Sequence, residues 1–174
     1  MNKGLPDGTP WAEWLTRIGQ GSKDVPHLNR LTPCREMTIA SETDHARFER
    51  VAPDLLEVRL KPAVHIDEAI IAGIMDERRR LCGNIPLCVL VLVSSDSTLD
   101  LGVVGMDHYK NNRNADGLRA VAIVSGTLAL ETMARLYAAY FPPMFRFEVF
   151  NQEREARGWL QEQLVQLRQA GQKA

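Results

Sequence analysis

Blocks of apolar and polar residues predict a series of short strands from Glu36 onward. The segment LLEVRLKP, which begins at Leu55, alternates apolar and charged side chains, as a strand with one buried face does. The segments EMTIASE and ARFERVA before it are shorter candidate strands. The run IPLCVLVLV is apolar throughout and predicts a strand buried on both faces, as in a parallel sheet. The segments LRAVAIV and MFRFEVF are two further predicted strands.

Four other segments have the spacing of helices, and they cover residues 65–84, 99–112, 127–140 and 152–169. Gly102 and Gly105 weaken the second of them. Asn151 is the predicted cap of the last, whose apolar stripe includes Trp159 and Leu160. Helices therefore alternate with strands through the second half of the chain.

The order of these elements predicts one α/β domain over residues 36–170. We expect a mixed sheet of four to six strands that is parallel in its second half and flanked by about four helices. Residues 1–35 differ, because eight Gly or Pro residues interrupt them. We interpret them as an N-terminal extension with one short helix that contains Trp11 and Trp14.

Composition excludes several classes of protein. Lys and Arg number 21 against 22 Asp and Glu, and this lack of a basic excess argues against nucleic-acid binding. Three cysteines without a C-x-x-C pair argue against a disulfide framework and fit a reducing cytosol. The N-terminus lacks a signal-peptide core, and the longest apolar run is too short to cross a bilayer. We expect a cytoplasmic protein without membrane insertion.

No catalytic or metal site is visible in the sequence. None of the four histidines has metal-ligand spacing with another ligand residue, and no G-x-S-x-G motif marks a nucleophile. We therefore predict no catalytic residue, no metal and no cofactor. An enzyme whose site is scattered through the fold stays an alternative.

Ser125, Gly126 and Thr127 stand where a predicted strand meets a helix. Such a helix N-terminus can contact an anion or another ligand. The sequence has neither a P-loop nor a dinucleotide-binding motif. Capping of the helix by Ser or Thr is the alternative that we favour.

The helix predicted after Thr127 is apolar on nearly every side. One side includes Tyr137 and Phe141, and a helix on a sheet needs only one apolar stripe. We predict that the stripe of Tyr137 and Phe141 is an interaction surface, covered either by the segment of Trp11 and Trp14 or by a second subunit in a homodimer.

Residues 36–167 resemble the STAS superfamily, and within it the SpoIIAA-like, STAS/SEC14-type small bacterial proteins. The resemblance lies in LLEVRLKPAVHIDEA, in VLVLV, in LRAVAIVSGTLALETMARLYAAYFPP and in the closing FRFEVFNQEREARGWL. It implies a mixed sheet flanked by helices and a non-enzymatic, regulatory role through a protein partner. Because SEC14-type relatives bind apolar molecules, a carrier of a small apolar ligand is the alternative.

The resemblance also implies a phosphorylation switch. Antagonists of this superfamily carry the phosphorylated Ser after an Asp, in the loop that follows the central strand. Asp96, Ser97 and Thr98 lie at that place, although Leu99 stands where the antagonists have Gly. We expect this loop to be exposed, and capping of the next helix by Ser97 or Thr98 is the alternative.

Overall fold

The computed structural model describes residues 39–110 and 117–171, so the predictions for Trp11 and Trp14 lie outside the described residues. The main sheet has six strands, which are β1 (Ile39–Glu42), β2 (Ala46–Ala52), β3 (Leu55–Leu60), β5 (Leu87–Val93), β7 (Leu118–Ser125) and β8 (Arg146–Phe150). Two further strands, β4 (His65–Ile66) and β6 (Thr98–Leu99), pair with each other as a separate parallel ribbon.

The strands of the main sheet lie in the order β1-β2-β3-β5-β7-β8. The β1-β2 and β2-β3 pairs are antiparallel, whereas β3-β5, β5-β7 and β7-β8 are parallel. Short turns suffice for the antiparallel part, and each parallel pair needs a longer crossover connection. The predicted fold class, a mixed sheet that is parallel in its second half, is confirmed.

The described residues form three α-helices rather than about four. They are α1 (Glu68–Cys82), α2 (Leu128–Tyr140) and α3 (Glu153–Gly171). The helix predicted over residues 99–112 is replaced by the end of β6 and a 3-10 helix, Leu101–Gly105. Gly102 and Gly105 are poor helix formers. The Asp100 carboxylate accepts a hydrogen bond from the Gly102 N–H at 2.7 Å, which fixes a tight turn instead. None of the described helices is long and apolar enough to cross a membrane.

The ends of α1 follow from local chemistry. The Asp67 carboxylate accepts a hydrogen bond from the Ile70 N–H at 2.8 Å and caps the first turn. Gly83 ends the helix with a φ of 57°, and its N–H donates to the Arg79 carbonyl at 2.7 Å. The predicted cap of the last helix, Asn151, is wrong by one residue. At the start of α3, the Ala156 N–H donates to the carbonyl of Gln152, the residue directly before the first helical residue, Glu153.

Side chains of the central strands alternate between two layers. Cys88, Leu90 and Leu92 of β5 pack with α3, and we call this the α3 layer. Val89, Val91 and Val93 of the same strand belong to the opposite layer, which α1 and α2 cover. We call it the α1/α2 layer. This arrangement explains why β5 is apolar throughout.

Candidate functional site

An apolar cavity of about 200 Å³ lies within the α1/α2 layer. The sheet, α1, α2 and the segment around the 3-10 helix all contribute to its wall. Among the described residues, most of the lining side chains are aliphatic: Leu60, Ile66, Ile71, Ile74, Met75, Val91, Val93, Leu99, Val103, Val104, Val121, Ile123, Leu130, Met133 and Ala134. The remaining ones are Phe147 and four residues with a polar group: His108, Tyr109, Ser125 and Tyr137.

Two hydrogen bonds hold His108 in place. Its ring Nε2 lies 2.9 Å from the Val103 carbonyl oxygen. Because a carbonyl only accepts, Nε2 carries the hydrogen, and Nδ1 of the neutral ring is then an acceptor. The His108 backbone N–H donates to the Tyr137 hydroxyl at 3.3 Å, and the two rings are 5.4 Å apart. No local motif marks His108 as a site residue in the sequence.

The Ser125-Gly126-Thr127 segment contributes one residue to the cavity wall, Ser125. The Ser125 hydroxyl donates to the Thr127 carbonyl at 2.9 Å and accepts from the Thr127 N–H at 3.3 Å. The Thr127 hydroxyl accepts from the Leu130 N–H, which is the capping role that the sequence favours. A Cβ on Gly126 would lie 2.7 Å from the Cβ of Ser95, so glycine allows the loops after β5 and β7 to pack together. The predicted anion contact stays a prediction.

The loop after β5 differs from the expectation in two respects. Ser97 is buried, with 6% of its surface exposed, and its hydroxyl has no hydrogen-bond partner among the described residues. The Ser97 N–H donates to the Ser94 carbonyl, and the Thr98 N–H then donates to the Val64 carbonyl. This turn folds the chain back into the β4-β6 ribbon and covers Ser97, so the expected exposure is wrong for Ser97, although Asp96 and Thr98 on either side of it are exposed.

The capping alternative for Ser97 and Thr98 is also wrong, because Asp100 caps the 3-10 helix. Thr98 instead lies in β6, where its hydroxyl is 2.8 Å from Nδ1 of His65. Asp96 is exposed and accepts a hydrogen bond from the Ser94 hydroxyl, which lowers the pKa of the Asp96 carboxyl below its usual range. Phosphorylation of Ser97 stays a prediction, but it now requires that the loop open.

The predicted interaction residues on α2 face inward. Tyr137 lines the cavity, and its ring lies 5.7 Å from that of Phe141, which is partly buried. The outer side of α2 exposes other large apolar side chains instead, notably Leu128 at 77% and Tyr140 at 71%. The sequence showed two apolar stripes on this helix, and the structure shows which of them packs on the sheet.

A polar hollow adjoins the cavity. Met75 and His108 line both of them. The other described residues around the hollow include five charged ones: Glu68, Asp76, Arg79, Asp107 and Lys110. Asp76 and Arg79 are paired at 2.7 Å. The cavity therefore has an apolar interior and a polar neighbourhood on the side of His108.

The described residues do not bring together three His, Cys, Asp or Glu side chains that could hold a metal ion. Cys88 is fully buried in the α3 layer, and burial raises the pKa of its thiol to about 11. This thiol is therefore protonated at neutral pH and is part of the core.

No curated protein matches the chain. A similar solved structure is described as an uncharacterized protein from the DUF3478 family with a SpoIIAA-like fold, from Shewanella loihica. The two are 19% identical with a TM-score of 0.42, and the match covers 69% of this chain and 98% of that one. A family model described as a domain of unknown function, DUF7793, matches residues 50–164, and the chain belongs to this family.

Proposed function

We propose that this domain binds a small apolar molecule in the cavity of the α1/α2 layer and catalyses no reaction on it. The cavity itself is the observation that carries the proposal. Protein interiors are close-packed and contain few voids larger than a water molecule. At about 200 Å³, this void is larger than an engineered cavity of about 150 Å³ that stays dry and binds benzene.

The apolar wall of the cavity supports the same proposal. The fold leaves part of this apolar surface uncovered, and apolar surface in contact with water is unfavourable. A ligand that covers it and binds only the folded state would stabilise the protein.

The chemistry of the wall supports binding rather than catalysis. No carboxylate, ammonium, guanidinium or thiol is present among the described lining residues. His108 and Ser125 both direct a hydrogen to backbone carbonyls, at Val103 and Thr127. The two hydrogens that a general acid at these positions would supply are therefore held by the backbone and not directed at a ligand.

Binding of naphthalene to the full chain tests this proposal. We expect it to raise the melting temperature of the wild-type protein. Ala134→Phe would place a ring in the cavity and should abolish the shift, because Ala134 lines the wall. Ala139→Phe on the exposed side of the same helix is the matched control and should retain it. No shift in the wild type, or an equal shift in both variants, would contradict the proposal.

A regulatory protein-interaction module of the STAS type is the second candidate. The exposed Leu128 and Tyr140 on α2 favour it, because large exposed apolar side chains are typical of interaction surfaces. If the partner is a second copy of the chain, sedimentation should show a dimer at high concentration. Replacing both residues by Glu should then give a monomer with an unchanged melting temperature. A wild type that is monomeric at every concentration would exclude the homodimer.

A further inference from the structure

We infer that the ligand is a neutral aromatic compound of about two rings with one hydrogen-bond-donating group, bound with its rings in the cavity and its donor on His108. Phenols and indoles are of this class. The inference rests on the proposed ligand-binding function and adds the chemistry of the ligand. It follows from four properties of the cavity: its volume, its charge, its rings and its hydrogen-bonding groups.

Volume limits the size of the ligand. The cavity measures about 200 Å³. Since a dry cavity of about 150 Å³ accepts one benzene molecule, a compound of about two rings suits this volume. A long-chain lipid would place only part of its length there.

The absence of charge among the described lining residues excludes an ionic group inside the cavity. None of them is Asp, Glu, Lys or Arg. Moving an ion from water into such an environment without a partner costs several kcal/mol. A carboxylate or an ammonium ion on the buried part of the ligand is therefore unfavourable.

Aromatic rings are concentrated on one part of the wall. His108 and Tyr137 are 5.4 Å apart in a tilted arrangement, and Tyr109 also lines the cavity. Ring centroids 4.5–7 Å apart in tilted or edge-to-face geometry attract each other beyond simple burial. A flat aromatic ligand can extend this arrangement, whereas a branched aliphatic one cannot.

The hydrogen-bonding groups on the wall indicate whether the ligand's single polar group should donate or accept a hydrogen bond. The Nε2 hydrogen of His108 is donated to Val103, and the hydroxyl hydrogen of Ser125 is donated to Thr127. Both side chains retain only acceptor capacity, at Nδ1 of the neutral His108 ring and at Oγ of Ser125. A ligand that donates a hydrogen bond is therefore complementary to these two side chains.

Four related probes on the full chain test the inference by titration calorimetry: naphthalene, 2-naphthol, 2-methoxynaphthalene and 2-naphthoate. The methoxy compound keeps the oxygen and lacks the donor, and the naphthoate adds a negative charge. We expect 2-naphthol to bind about three- to tenfold more tightly than 2-methoxynaphthalene, as one neutral hydrogen bond allows. We expect 2-naphthoate to bind at least tenfold more weakly than 2-naphthol.

Two variants connect the preference to His108. His108→Phe keeps a ring of similar size without an acceptor, and His108→Leu keeps an apolar side chain of similar volume without an acceptor. The preference for 2-naphthol over 2-methoxynaphthalene should fall to about onefold in both. The two ligands are compared within each variant, so a change in overall affinity for aromatic compounds does not affect the result.

The outcomes separate this inference from the function on which it rests. If naphthalene binds and 2-methoxynaphthalene binds as tightly as 2-naphthol, the ligand class is wrong and the cavity is still a binding site. A preference for 2-naphthol that persists in both variants would overturn the role of His108. If none of the four probes binds the wild type, the proposed function and the ligand class both fail.

Discussion

The two layers on either side of the sheet differ in how closely their helices approach it. In the α3 layer, Ala120, Ala122 and Ala156 are at most 1% exposed, and Leu160 fills the space beside them. In the α1/α2 layer, valines and isoleucines of the strands meet isoleucines of α1, and a cavity of about 200 Å³ is left. Small side chains at a helix-sheet contact allow close packing, whereas branched side chains on both surfaces hold the elements apart.

Ion pairs join helices to the sheet in both layers. Arg157 of α3 lies 2.9 Å from Glu57 of β3, and Arg168 of α3 contacts Asp54 with two bonds of 2.7 and 2.9 Å. In the other layer, Arg135 of α2 lies 3.0 Å from Glu148 of β8 and donates to the Val149 carbonyl at 2.7 Å. The difference between the layers therefore lies in their apolar packing.

Leu160→Ala should give the largest effect, because it opens a hole in the closely packed layer. Leu160 is 2% exposed, and truncation of a buried Leu costs about 2–5 kcal/mol. Urea unfolding measures the loss. Trp159, on the same predicted apolar stripe, is only partly buried against Phe150 at a ring distance of 5.9 Å. Trp159→Ala should therefore cost less than Leu160→Ala, and the reverse order would contradict the packing described.

Ser97→Asp tests the loop that follows β5, the strand shared by both layers. Ser97 is buried and its hydroxyl has no partner among the described residues, so a carboxylate there would be buried without a counterion. We expect a loss of about 2–3 kcal/mol in the free energy of unfolding. Ser95→Asp, at an exposed position in the same loop, is the control and should cost much less. Equal stability of the two variants would show that Ser97 is accessible.

Enlarging an alanine in each layer compares their packing directly. Ala156→Leu adds volume where the helix contacts the sheet and should cost about 1–3 kcal/mol. Ala134→Leu adds the same atoms beside the cavity and should leave stability unchanged or raise it. Urea unfolding of both variants gives the difference. Equal losses would mean that the cavity is not available to a larger side chain.

The smallest expected effect is on how the free energy of unfolding depends on pH, through Glu77 in the α1/α2 layer. Hydrogen bonds from Arg80 and then from Ser41 lower the pKa of Glu77 from 4.5 to about 2. A lowered folded-state pKa contributes stability above pH 4.5, and that contribution is lost as the pH falls towards 2. Glu77→Gln should remove less than about 1 kcal/mol at pH 6 and nothing at pH 2. Glu155→Gln, at an exposed position on α3, should show no such dependence.

The reliable predictions from sequence concern elements with strong local signals. The bounds of β2 and β3 agree with the predicted segments, and Asp67 and Gly83 mark the two ends of α1. The segment around Gly102 was less predictable, because a short 3-10 helix and an α-helix both place apolar residues three positions apart. The Asp100 side chain favours the 3-10 helix through its hydrogen bond from the Gly102 N–H, a contact that only the three-dimensional structure shows.

The sequence by itself determined the order of the six main strands and the three α-helices, the parallel half of the sheet and the apolar character of its central strands. These features depend on periodicity, capping residues and glycines, which act over a few neighbouring positions. Only the tertiary structure decided that Ser97 is covered, that Tyr137 faces inward and that His108 joins Ser125 at one cavity. Burial and cavity volume arise where distant segments meet, and local periodicity does not specify how well their side chains fill the space between them.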